Sequence, residues 1–148
     1  MMPDTLALGL QMSDFLKQVG VPEVAQIVAG QIWNGGAAPI TLEEQLGTPL
    51  IYDVTNDRYT LALDANIATI DAVLLEVGAS AAIANGAGVV DMKILAKGPA
   101  VVNLDLLVAT DADDAAWTGG IAAVAKHLFN NSGIRALAEP VQVSTQTT

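Results

Sequence analysis

With 148 residues, 52% of them apolar, the chain is long enough to bury the core of one domain, and without cysteine it can form neither disulfides nor thiolate sites. Its formal net charge is −10, and the six basic residues (Lys17, Arg58, Lys93, Lys97, Lys126, Arg135) are scattered. Nucleic-acid binding needs clustered Lys and Arg to displace counterions, so it is excluded as a partner class, as is attraction to an anionic membrane.

Only two Trp, two Tyr and two Phe are present, so Ala, Val, Leu and Ile must fill the core. Met1-Met2-Pro3-Asp4 has neither the basic flank nor the apolar run of a secretory signal, and no apolar run approaches the roughly 20 residues that cross a bilayer. A soluble protein that folds in the cytosol is expected.

Ser13 is placed to cap a short turn through Asp14–Gln18, which Gly20 and Pro22 stop. An apolar, strand-like run follows from Val24 to Val28. Gly30, Gly35-Gly36 and Pro39 then interrupt the chain before Glu43-Glu44. So many breakers predict an extended, partly ordered N-terminal arm over residues 1–46.

From Gly47 the pattern changes to strict alternation. Leu50, Tyr52 and Val54 alternate with Ile51, Asp53 and Thr55, and Tyr59, Leu61 and Leu63 alternate with Thr60, Ala62 and Asp64. Asn56-Asp57 between them predicts a hairpin. Val73–Val77, Met92–Ala96 and Ala100–Asn103 predict further strands, the last two separated by a turn at Gly98-Pro99. Ile121, Val124, Ala125, Leu128 and Phe129 make one helical stripe, predicting an amphipathic helix over about 119–131 that Gly133 stops. A last strand is expected over Ile134–Leu137, continuing past Pro140 into Val141–Val143. The expected fold is therefore mainly β with one or two short helices (α+β). Residues 47–148 form a small sandwich- or barrel-like body, preceded by the arm.

Candidate chemistry is sparse. His127 is the lone histidine and lies off the helix's apolar stripe, and no G-x-S-x-G elbow occurs, so a Ser-His-Asp site has no scaffold. Asp111, Asp113 and Asp114 could face a hard cation. Counted from Asp111, however, the sixth and twelfth positions of a calcium loop hold Ala116 and Ala122. These aspartates read better as solvated turn and helix-cap residues. Gly86-Ala87-Gly88 precedes a strand, where a dinucleotide fingerprint would precede a helix, and reads as a turn. Glu43, Glu44 and Glu76 have no spacing that pairs them across a cleft. No catalytic residue, cofactor, metal site or small-molecule substrate is therefore expected, and the protein is not expected to be an enzyme. Trp33 and Trp117 lie in Gly-flanked or loop-like segments; each is either an interface anchor or a core residue.

Three stretches, in order and spacing, resemble the lambda-type head-decoration (capsid cement) proteins of tailed phages. The first is Gly47-Thr48-Pro49-Leu50 with the Tyr52–Tyr59 hairpin and Ala72–Val77. The second is Val90–Ala96 leading into Gly98–Asn103. The third is the helix followed by Gly133–Leu137 and Glu139-Pro140-Val141. The resemblance covers roughly two-thirds of the chain, and Ser13–Lys17 is similar to the family's short arm motif, although the segment before Gly47 is longer than in the shortest members.

The resemblance implies a homotrimer on the outer surface of the expanded head. There it would clamp the major capsid protein without enzymatic activity or cofactor, and the localisation would be the virion. It implies an arm that adds as a strand to the capsid protein, with Asp14, Phe15, Leu16, Val19 and Val21 as capsid-contact candidates. The alternatives are another virion module of the tail or neck and, remotely, a small hydrolase using His127 with one of Asp111–Asp114.

Overall fold

The computed structural model describes residues 15–19, 26–34, 40–41, 46–76, 82–83 and 86–138, and every structural statement below concerns these. The chain is mainly β, with one long α-helix among the described residues. In order come β1 (Leu16–Val19), β2 (Gln26–Asn34), β3 (Ile40–Thr41), β4 (Pro49–Asp53), β5 (Arg58–Leu61) and β6 (Ala72–Leu74). They are followed by β7 (Ala82–Ile83), β8 (Ala87–Lys97), β9 (Ala100–Asn103), α1 (Gly120–Ser132) and β10 (Ile134–Leu137). Short 3-10 turns occupy Asp64–Thr69 and Leu104–Leu106.

Five strands close into a barrel in the order β2-β5-β4-β6-β8; β1-β9-β10 form a separate sheet and β3-β7 a two-stranded ribbon. Ile32, Leu50, Leu61, Ala72, Leu74, Met92 and Ile94 form one buried cluster that draws on all five barrel strands, so it is the barrel interior. A second cluster lies outside the wall, where Val73, Leu75 and Leu95 meet Phe15, Val102, Ile134, Val124 and Leu128. Neighbours in β6 therefore point into different cores. Its Ala-Val-Leu run is apolar throughout because both of its faces are covered.

The hairpin forms where the alternation predicts it, with Leu50 opposite Leu61, Tyr52 opposite Tyr59 and Asp53 opposite Arg58. The Asp53 carboxylate accepts from the Thr55 N–H at 3.1 Å and from the Asn56 side-chain amide at 2.9 Å, and Asp57 takes a φ of 53°. An aspartate at each end of the loop thus supplies the turn chemistry. The helix matches its expected span to within one residue, and Gly133, at φ 69°, ends it with its N–H bonded to the Phe129 carbonyl. Val124 and Leu128 are buried, but Phe129, placed on the apolar stripe by its spacing, is 48% exposed under the Arg135 guanidinium.

Two expectations for the N-terminal segment are corrected. Leu16–Val19 is a strand antiparallel to β9, where a turn through Asp14–Gln18 was expected. Residues 26–34 are a wall of the barrel, where an arm was expected, and they pair with β8 from Gln26 to Asn34. Gly30 reads as a breaker but sits inside the strand in tight packing. A Cβ there would lie 3.0 Å from Ile94 Cδ1 and 3.2 Å from the Tyr59 ring, so its bare backbone lets the strand pass. The expected strand over Val141–Val143 lies outside the described residues.

Candidate functional site

The predicted contact residues divide. Asp14 and Val21 lie outside the described residues. Phe15 is fully buried in the outer core and Leu16 packs against it, so Phe15 is a core residue, not a capsid contact. Val19 is opposite Ala100, in a strand that already pairs with β9 of its own chain. Trp117 is 4% exposed, with its indole N–H donating to the Val108 carbonyl at 2.9 Å, and it resolves as core. Trp33 is half-buried in β2, with the Arg58 guanidinium 3.8 Å from its ring centroid. Arg58 also lies 3.5 Å from the Asp53 carboxylate, so hairpin and β2 are joined through one side chain.

Asp113 and Asp114 are exposed in a turn, as expected, but none of the three aspartates caps α1, which begins at Gly120, and Asp111 is corrected. Asp111 is 9% exposed and its carboxylate organises its own turn; it is neither solvated nor a helix cap. No group of three or more His, Cys, Asp or Glu among the described residues is placed to hold a metal ion. His127 sits on α1, partly buried.

The site that emerges lies at one end of the barrel. There the last residues of β4 and β8, the first of β5 and β2, and Asp71 just before β6 come together around a cleft of about 570 Å³. Mouths of small barrels commonly form such recesses. Tyr52 and Tyr59, opposed across the hairpin, stand with ring centroids 5.1 Å apart and planes at 52°. The Tyr52 hydroxyl donates to the Asp57 carboxylate at 2.6 Å, and its backbone N–H donates to Asp71 Oδ1 at 3.0 Å.

These contacts set the charge states. Tyr52 is pushed above the ordinary phenol range, first by the hydrogen bond to Asp57 and then by burial. Tyr59 is raised by burial, with the Asp71 charge adding to it. Burial raises the Asp71 carboxyl too, outweighing the opposing pull of the Tyr52 N–H. Both phenols therefore stay protonated at neutral pH, and the cleft offers hydroxyls and carboxylates to a ligand. Gln26, Gln31, Asp91 and Lys97 complete its polar lining.

Tyr52 and Tyr59 were legible as members of one hairpin, but their pairing was not. An Asn56-Asp57 turn would set Tyr52 opposite Leu61, whereas the strands end at Asp53 and Arg58. Asp71 was not legible either, because it reaches Tyr52 only through the β4–β6 pairing, 19 residues away in sequence. Exposed apolar side chains lie on the elements that frame the mouth, including Val54 at 77%, Val90 at 61% and Ile27 at 43%. No protein-family model, curated protein or solved structure matches this chain.

Proposed function

We propose that this protein is a capsid decoration protein. In this reading it binds the outer surface of an expanded phage head as a homotrimer, contacts the major capsid protein and stabilises the shell in the virion, with no enzymatic step. The reading is carried by the ordered succession of stretches from Gly47 to Leu137 that resembles the lambda-type decoration family. Two physical features support it. The body is the mainly β, barrel-containing fold expected from the sequence, and apolar side chains such as Val54 and Val90 stand exposed on it, available for a partner to cover. A trimer would multiply modest contacts into one firm attachment.

The test is to mix the purified protein with expanded capsids that lack it. Decoration requires trimers in solution and saturation at a copy number close to that of the major capsid protein. A monomer that leaves those capsids bare would end the proposal, and a handful of copies per particle would favour a tail or neck component.

A further inference from the structure

The barrel closes unevenly around β2. On one side β8 pairs with it from Gln26 to Asn34. On the other, β5 meets it only at Ile32–Tyr59 and Trp33–Thr60, because β5 begins at Arg58 and the chain before it turns back through the hairpin. Among the described residues, the edge of β2 facing away from β8 therefore carries no strand over Gln26–Gln31. Along a strand, successive residues turn their N–H and C=O to opposite edges, so alternate residues of this stretch present both groups to the open side. Unpaired edges of this kind are templates for an added strand.

The cleft lies along this open edge. Its lining includes Gln26, Val28 and Gly30 of β2, Tyr52, Asp57 and Asp71 from the hairpin and the approach to β6, and Asp91 and Lys97 of β8. Its ionic lining is Asp57, Asp71 and Asp91 against Lys97, and the chain as a whole is strongly acidic. A strand laid beside β2 would turn alternate side chains, about 6.7 Å apart, into the cleft, and the intervening ones outward on the side of exposed Ile27.

We propose that the Gln26–Gln31 edge of β2 accepts an extended polypeptide segment as an added strand. Lysine or arginine at alternate positions of that segment meets Asp57 and Asp71, and apolar residues lie between them. Backbone hydrogen bonds supply the attachment and the carboxylates select the sequence. The proposal stands whether or not the protein decorates a shell.

The probe is a capped heptapeptide alternating valine with lysine, titrated into 15N-labelled protein. Three controls accompany it: the glutamate analogue, a same-composition peptide with its lysines contiguous, and an analogue N-methylated on alternate amides. The alternating lysine peptide is expected to shift the Gln26–Gln31 amides and slow their hydrogen exchange, and to bind at least about tenfold more tightly than each control. Asp57→Asn, which suits the positive φ there, should weaken it about fivefold, whereas Asp105→Asn on the exposed 3-10 turn should not. Equal binding of the contiguous or N-methylated peptide would reduce the effect to bulk charge attraction and overturn the proposal. So would shifts confined to residues outside β2, or no binding by the alternating peptide.

Discussion

The backbone N–H of Asp64 donates to the Asp111 carboxylate at 2.8 Å, joining the first 3-10 turn to a loop 47 residues further along the chain. The other Asp111 oxygen accepts from the N–H groups of Asp113 and Ala115, both at 2.9 Å. Asp64 in turn accepts from the Thr118 hydroxyl at 2.6 Å and the Thr118 N–H at 2.8 Å. Two aspartates thus hold together the loop that leads into α1. Asp111→Ala leaves those partly buried backbone donors without the carboxylate and should destabilise the fold by about 1–2 kcal/mol. A urea midpoint unchanged from wild type would show that water replaces the carboxylate.

Asp64 and Asp71 should impose opposite pH dependences. The Thr118 hydrogen bonds lower the folded pKa of Asp64, so its contribution is present above the unfolded carboxylate value and is lost as the pH falls through the folded one. Burial raises Asp71, so ionising it weakens the fold as the pH climbs from the unfolded value past the folded one. Between about pH 3 and pH 7, the advantage of wild type over Asp64→Asn should grow with pH. Against Asp71→Asn, whose side-chain oxygen can still accept from Tyr52, wild type should lose ground over the same range. Denaturant titrations at stepped pH read both.

Phe15 belongs to the body. Fully buried among Val102, Val124 and Leu128, it should cost about 3–4 kcal/mol when changed to Ala. Deleting residues 1–20 removes Phe15 and β1 together and should lower the thermal midpoint markedly, whereas deleting 1–13 leaves both in place. Equal stability of the two truncations would contradict the core assignment.

Glycines give a graded test of close packing. A Cβ at Gly47 would sit 2.2 Å from the Leu106 carbonyl oxygen, at a φ of 88°, and one at Gly98 would sit 2.2 Å from that of Gly133. Gly86, at φ 75°, has open space around it. Gly86→Ala should therefore cost about 1 kcal/mol from backbone conformation alone, and the other two Ala variants should cost more, because backbone must move. Thermal unfolding of the three variants side by side gives the order.

Arg58 joins the hairpin to β2 through Trp33 and Asp53. Arg58→Ala should cost about 1 kcal/mol and red-shift the tryptophan emission as Trp33 gains water. In a Trp117→Phe background the shift can be assigned to Trp33.

The chain's own residues determined its local elements. Alternation marked both strands of the hairpin, the 3.6-residue stripe marked α1, and Gly133 ended the helix where its positive φ is needed. Those features depend on near neighbours, and near neighbours are written side by side. Tertiary structure alone decided that residues 26–34 are barrel wall, that Phe15 and Trp117 are core, and that Asp71 meets Tyr52 at the mouth. In each case the deciding partner is distant in sequence: Gly30 leaves room for Ile94 and Tyr59, the outer core encloses Phe15, and the β4–β6 pairing delivers Asp71. A glycine that looks like a breaker and a glycine that admits a crossing side chain are the same letter, and only the neighbour that fills the space distinguishes them.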